Sequence, residues 1–340
     1  MRAALVPLAL AALGAAAAVQ DAPVQDAVVQ DAGLPPVDEL ELERFLEVPL
    51  GLPADEAPPL ERGRFDLGRR LFFDIVLSVD RSTSCASCHR PEHGFAHPER
   101  FPAGAHGRRT ARSVPALLNR GFGRAQMWDG RFATLEEQVV EPIRNPDEMA
   151  LPLDEAVARL AADATYAAAF ERAFGGPVSE RSLAAALAAF VGRIFSGGTA
   201  VDRFQAGRFG ALTPEERGGL WIFESKGRCW RCHAGALFTD EGFHNTGVGA
   251  RDGEPEEGRF AVTGDPADRG RFKTPTLRGL AATAPYMHDG SLTTLEDVVA
   301  FYRDGGRPNA NLDPQMEPLA LTDREAELLL AFLRALSPPG

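Results

Sequence analysis

The chain has 340 residues, 44% of them hydrophobic and 25% charged, the profile of a globular polypeptide long enough for two domains of ordinary size. Its 36 Lys and Arg stand against 48 Asp and Glu, a formal net charge of -12. That balance, with no basic run, argues against a nucleic-acid partner, because phosphate backbones are bound by clustered positive charge.

Met1-Arg2 leads into an apolar stretch from Ala3 to Val19 with small residues at Ala16 and Ala18. This is the order of a secretory signal; a single membrane anchor is the alternative, for a stretch barely long enough to span. Residues 1–19 are expected to be a signal peptide. Residues 20–37, which repeat Val-Gln-Asp-Ala, are expected to be a low-complexity linker that cannot build a core. No later segment is apolar enough to cross a membrane. The expectation is a periplasmic protein, exported and not integral to the membrane.

Next along the chain, Gly68-Arg-Arg-Leu71-Phe72-Phe73 reads as a helix start leading into Cys85-Ala-Ser-Cys88-His89. Four cysteines in an exported chain first suggest two disulfides. Both pairs, however, are C-x-x-C followed at once by histidine, the second being Cys229-Trp-Arg-Cys232-His233. In this spacing the thiols bond to haem vinyl groups and the histidine becomes the proximal iron ligand. A zinc site shared by the four cysteines and a pair of redox motifs are the competing readings. Neither explains a histidine after both pairs, so two covalent c-type haems are expected.

The chain also repeats. Gly218-Gly-Leu220-Trp221-Ile222-Phe223 precedes the second motif as Gly68 to Phe73 precedes the first. Pro115, Asp129-Gly130 and Thr134-Leu-Glu-Glu137 recur 160 residues later as Pro275, Asp289-Gly290 and Thr294-Leu-Glu-Asp297. Each Thr-Leu-Glu-Glu/Asp carries a capping signature, threonine at the cap and an acid three residues on, as do Thr213-Pro-Glu-Glu216 and Thr322-Asp-Arg-Glu325. Strand signals are sparse, and Ser182 to Ile194 and Asp323 to Leu336 repeat at helical spacing. The expected fold is mostly α: two cytochrome c-like haem domains related by internal duplication, at 38–200 and 201–340.

The repeat exposes an asymmetry. Tyr302 has Pro142 as its counterpart 160 residues earlier. A tyrosine can give a phenolate oxygen to iron, whereas proline has no donor atom. The second iron would be closed on both faces and the first open on one. Against this, Tyr302 could be a core tyrosine bonded to a carbonyl, and Met287 and Met316 are rival thioether ligands.

With these residues in view, the sequence resembles the bacterial di-haem cytochrome c peroxidases, the family that includes the MauG-type enzymes. Beyond the haem motifs, the likeness rests on Trp128-Asp-Gly-Arg131, Glu137-Gln138, Pro142 to Met149, Phe272-Lys-Thr-Pro-Thr-Leu-Arg278 and Ala284 to Gly290. The resemblance implies that Gln138 and Glu148 stand over the open N-terminal haem, Glu148 moving protons during peroxide cleavage. It implies that Trp128 relays electrons between the haems and that Tyr302, where MauG-type enzymes have tyrosine, closes the C-terminal one, with Met287 a wall residue. It also implies calcium at Ser113, Thr283 and Pro285, although serine stands where the family usually has asparagine. His106 lies near the place of a family loop histidine that can cap the N-terminal haem; His93, His97, His244 and His288 read as structural.

The implied function is a periplasmic peroxidase that reduces hydrogen peroxide at the N-terminal haem with electrons from a small donor protein, a cytochrome c or cupredoxin. Tyr302 favours a second reading, MauG-like peroxide-dependent oxidation of a partner protein's side chain through a high-valent His/Tyr-ligated haem. A non-enzymatic di-haem electron carrier is the third.

Overall fold

A computed structural model describes residues 45–338; the expected signal peptide and the linker at 20–37 lie outside the described residues. The helices run Arg62–Phe73 (α1), Cys85–Cys88 (α2), Leu135–Val139 (α3), Glu141–Arg144 (α4), Leu153–Ala162 (α5), Ala164–Phe174 (α6) and Glu180–Val191 (α7). They continue with Ala200–Gln205 (α8), Pro214–Glu224 (α9), Phe260–Thr263 (α10), Leu295–Arg303 (α11) and Asp323–Ala335 (α12). Among the described residues the only sheet is the antiparallel pair Phe243–His244 (β1) and Phe272–Lys273 (β2), with Phe243 opposite Lys273. The chain is mostly α, as its periodicity implies.

All four predicted capping boxes form. Thr134, Thr213, Thr294 and Thr322 each accept a hydrogen bond from the backbone N–H three residues on, and Glu137, Glu216, Asp297 and Glu325 reach back to the cap. Each satisfies backbone donors that a helix end leaves unpaired, worth about 1 kcal/mol.

Gly68 and Gly218 do not begin helices, contrary to the sequence reading. Both lie mid-helix, in α1 and α9. The glycines serve close packing instead: a Cβ on Gly68 would stand 1.8 Å from the Ala186 carbonyl oxygen of α7, and one on Gly219 would stand 2.0 Å from that of Leu328 in α12. A side chain at either position would force the paired helices apart. The helix of the Ser182–Ile194 pattern also ends early, at Val191.

Two hydrophobic cores result, one drawn from Phe45 to Ile194 and the other from Val201 to Leu336. Their centres match. Phe72 of α1 meets Phe190 of α7 with ring centroids 5.1 Å apart at 59°, and Phe223 of α9 meets Phe332 of α12 at 5.1 Å and 56°. A third ring joins each pair, Phe95 at 6.1 Å from Phe72 and Phe238 at 6.2 Å from Phe223. Gly68 and Gly219 sit four residues before Phe72 and Phe223, so the structural match pairs Gly68 with Gly219 and shifts the sequence alignment there by one residue.

Unusual backbone also recurs at the 160-residue spacing. Met127 and Met287 both take positive φ, 70° and 73°, as do Asn119 and Gly279 at 60° and 72°. The bridge Gln126↔Phe132 recurs as Tyr286↔Leu292. Positive φ is rare for methionine, and the two turns share it.

Buried polar bonds around Arg278 tie distant parts of the chain together. Arg278, between β2 and α11, donates to Asp202 of α8 at 2.9 and 2.7 Å, and both side chains are 0% exposed. The same guanidinium donates to the Gly51 carbonyl at 2.9 Å and the Ala236 carbonyl at 2.6 Å. It thus ties the start of the described chain to the loop behind His233.

Candidate active site

Both histidines of the C-x-x-C-H motifs are held the same way. The Ser84 and Ser87 side chains form a capping box around α2, which places Cys85 and Cys88 on one turn with His89 at its end. His89 Nδ1 lies 2.9 Å from the Phe95 carbonyl oxygen, and His233 Nδ1 lies 3.1 Å from that of Phe238. A carbonyl can only accept, so each Nδ1 carries the proton and each Nε2 keeps its lone pair. Burial pushes both imidazoles down to about 4. They are neutral at pH 7, the form that ligates a metal.

The four cysteines form no disulfide with one another, against the disulfide reading. Burial pushes Cys85 and Cys229 up to about 12. Among the described residues, the only cluster of His, Cys, Asp and Glu with metal-ligand spacing is Cys232, Asp240 and His244, so the cysteines do not share a zinc site. His244 is held on both sides by carboxylates, Asp313 at 2.7 Å and Asp240 at 2.9 Å. Two separated thiol pairs, each with a neutral and oriented histidine, fit covalent haem.

Beside the first pair lies a small cavity of about 60 Å³, lined by Cys85, Cys88, His89, Gln138, Pro142 and Glu148 among others. Glu148, Gln138 and Pro142, the position 160 residues before Tyr302, thus all line this cavity. Burial raises the Glu148 carboxyl above its usual range, while the Asn145 amide pulls it partly back by donating to Oε1 at 2.8 Å. Asn145 Oδ1 accepts the Asp147 N–H at 3.1 Å, which fixes the amide so that its NH₂ must face Glu148. Gly104 lies so close that an added Cβ would stand 2.7 Å from Glu148 Cα, and the Ala105 N–H donates to the Glu148 carbonyl at 2.6 Å. Gln138 Nε2 reaches the Met127 sulfur at 3.6 Å, a weak acceptor that leaves the amide available to a ligand.

A larger cavity continues from Cys88 and His89 past Trp128 to Tyr286 and Met287. Trp128 sits partway along it, with Nε1 donating to the Ser113 carbonyl at 2.8 Å and its own carbonyl accepting the Lys273 N–H at 2.8 Å. Ser113, Thr283 and Pro285, the expected calcium residues, all line this cavity. His106 does not: its side chain is 59% exposed and turned to Asp80, Nδ1 3.5 Å from the carboxylate. His288, read as structural, is buried, with its ring stacked on Phe272 at 3.5 Å and lying 6.4 Å from that of Trp128.

The three tyrosines separate cleanly. Tyr166 donates to Asp74 at 2.5 Å and Tyr286 to the Leu280 carbonyl at 3.1 Å. Tyr302 lies in the last turn of α11, part-buried, and makes no side-chain hydrogen bond to the described residues. Burial, then the nearby Cys229 and Cys232 sulfurs, raise its pKa. A phenolate is thus disfavoured there unless a cation offsets it. Met287 lines the large cavity as a wall residue, and Met316 is placed against Gly306.

Residues 62–209 match the family model described as di-haem cytochrome c peroxidase. The chain is 39% identical over 290 residues to a methylamine utilization protein MauG of Methylorubrum extorquens, covering 85% of this chain and 82% of that one. It is 33% identical over 288 residues to a cytochrome c551 peroxidase of Nitrosomonas europaea, covering 84% and 83%. The chain belongs to the family of di-haem cytochrome c peroxidases and MauG proteins. Among solved structures it resembles a MauG-like protein associated with microbial copper homeostasis, with a TM-score of 0.78 and 34% identity over 86% of this chain and 93% of that one. It also resembles the dihaem peroxidase BthA of Burkholderia thailandensis, with a TM-score of 0.72 and 29% identity over 82% and 86%. The family implies two c-type haems and peroxide-linked oxidoreductase chemistry. No described helix is long and apolar enough to cross a membrane.

Two site residues escaped the sequence reading. Asn145 lay inside a quoted family stretch but was given no role, because only the structure shows its amide on Glu148. Lys273 was likewise passed over, since a lysine in a β-strand reads as a solvated edge until its burial is seen.

Proposed function

We propose that this protein is a periplasmic di-haem peroxidase that reduces hydrogen peroxide beside Glu148 with electrons delivered through the second haem by a small cytochrome c or cupredoxin. The observation that carries this reading is the raised carboxyl of Glu148 on the same cavity wall as His89 and Gln138. Covalent haem on Cys85 and Cys88, ligated by His89, would supply the iron to which peroxide binds; Cys229, Cys232, His233 and Tyr302 would hold the second haem. Glu148 takes a proton from the near peroxide oxygen and returns it to the far one, so that water leaves. Gln138 holds the peroxide or the departing water through its amide. Trp128, which lines the larger cavity, serves as the electron relay. The matching aromatic centres support two haem domains derived by duplication.

A second reading, MauG-like oxidation of a partner protein's side chain, draws on the Tyr302 hydroxyl, on which the Cys229 and Cys232 sulfurs act. Turnover separates the two. Peroxide consumed together with reduced cytochrome c supports the first; covalent change in a protein encoded nearby, without cytochrome c oxidation, supports the second. No peroxide reaction in any oxidation state leaves the electron carrier.

Calcium at Ser113, Thr283 and Pro285 belongs to the same proposal. Three residues fall short of the six to eight oxygens calcium takes, so water would complete the shell. Chelation should lower the melting temperature and slow electron transfer between the haems, and calcium alone should restore both. Unchanged melting and kinetics after complete chelation would remove the metal from the account.

A further inference from the structure

Lys273 ends β2 on the wall of the larger cavity, its side chain only 7% exposed. An ammonium carries three N–H donors. Those of Lys273 find only the Thr274 carbonyl at 3.3 Å and Glu241 Oε1 at 3.5 Å. Glu241 is already engaged, because Arg120 grips it in a fork at 2.7 and 3.2 Å and the Arg124 N–H adds a bond at 3.2 Å. Arg120 and Lys273 share this carboxylate, and Asp240, the other carboxylate that acts on Lys273, is already bonded to His244 at 2.9 Å, so the ammonium has no carboxylate of its own. Burial, then the neighbouring Arg120, push the ammonium down to about 8.

The other cationic cluster on this cavity makes no such demand. Arg112 and Arg131 share Asp129 at 2.7 and 2.9 Å, and at 27% and 35% exposure water can solvate what remains. Lys273 therefore stands out as a buried, under-bonded cation aimed at a space that also reaches His89 and Trp128. Buried charges are stable when paired and hydrogen-bonded, and an anion with two acceptor oxygens would meet both needs. A haem brings carboxylates of its own in its two propionate side chains.

We propose that Lys273, backed by the Arg120–Glu241 fork, binds a propionate carboxylate of a haem held in this cavity. The proposal rests on the covalent-haem reading, and it makes Lys273 a positioning residue that also sets the potential of that haem. Its positive charge opposes the extra positive charge of ferric iron. Removing it favours the oxidised state.

The test compares the wild-type holoprotein with Lys273→Met and Lys273→Arg in the absence of peroxide. Haem content per chain is measured first, so a failure of haem attachment shows itself separately. With both haems present, Lys273→Met should lower the midpoint potential of one haem by about 59 mV, a tenfold fall in its reduced-to-oxidised ratio at fixed potential. Lys273→Arg should restore most of the shift. Two unchanged potentials in Lys273→Met would overturn the proposal. Resonance Raman of the wild type gives a variant-free check should Lys273→Met not fold: a propionate bending band that shifts in D₂O supports the contact, and bands of both haems insensitive to D₂O exclude it.

Discussion

Replacing Glu148 by glutamine should slow the reaction with hydrogen peroxide by about 10²–10⁴-fold, the range ascribed to one positioned general acid–base group. Glutamine keeps the shape and the bond to Asn145 but cannot carry the proton from one peroxide oxygen to the other. Haem content and the spectra of the resting protein should not change, since Glu148 attaches neither cofactor. The pH dependence follows from the environment. Desolvation raises the Glu148 carboxyl and the Asn145 amide lowers it, and the first step needs the ionised form, so the rate should rise with pH through the Glu148 pKa. Asn145→Ala removes the lowering contribution and should move that midpoint to higher pH. Stopped-flow rates across pH 4 to 9 check both effects; a Glu148→Gln rate within a factor of three of wild type would remove Glu148 from the chemistry.

The largest stability effect is expected at Arg278. Burial alone would raise the Asp202 carboxyl, but the bonds from Arg278 outweigh it and hold the group below its usual range. Arg278→Met leaves Asp202 charged, buried and half-satisfied, along with the Gly51 and Ala236 carbonyls that the guanidinium also served. Breaking one partner of such a pair costs about 3–5 kcal/mol. Denaturant unfolding of the holoprotein measures it. Because the depressed Asp202 stabilises the fold only while ionised, the deficit should shrink as pH falls through and below its native pKa. A loss under 1 kcal/mol at pH 7 would mean that the contact is solvated in practice.

Much of the design was legible in the sequence because it depends on local rules. Capping threonines, acids three residues on and helical periodicity act within one turn, and all four boxes appeared where they were read. The C-x-x-C-H spacing is equally local. What escaped depends on partners distant in the chain. Gly68 and Gly218 were misread as helix starts because glycine is ambiguous alone; the helix that crosses Gly68 is 118 residues away in sequence, at Ala186. Lys273 owes its burial to Arg120 and Glu241, neither of which marks a strand as internal. The asymmetry between Tyr302 and Pro142 was readable only because the repeat supplied a reference position. Its chemical weight came from the structure, in which two tyrosines have acceptors and Tyr302 has none among the described residues.

The central claim is that the two haems differ because Tyr302 closes the second while Glu148 attends the first. Electron paramagnetic resonance and absorption spectra of the fully ferric wild type and Tyr302→Phe test it most directly. The wild type should show two distinct ferric signals, and the substitution should change one of them, from six-coordinate with an oxygen ligand to a form lacking it, and leave the other untouched. Identical spectra in the two proteins, with both haems attached, would contradict the account.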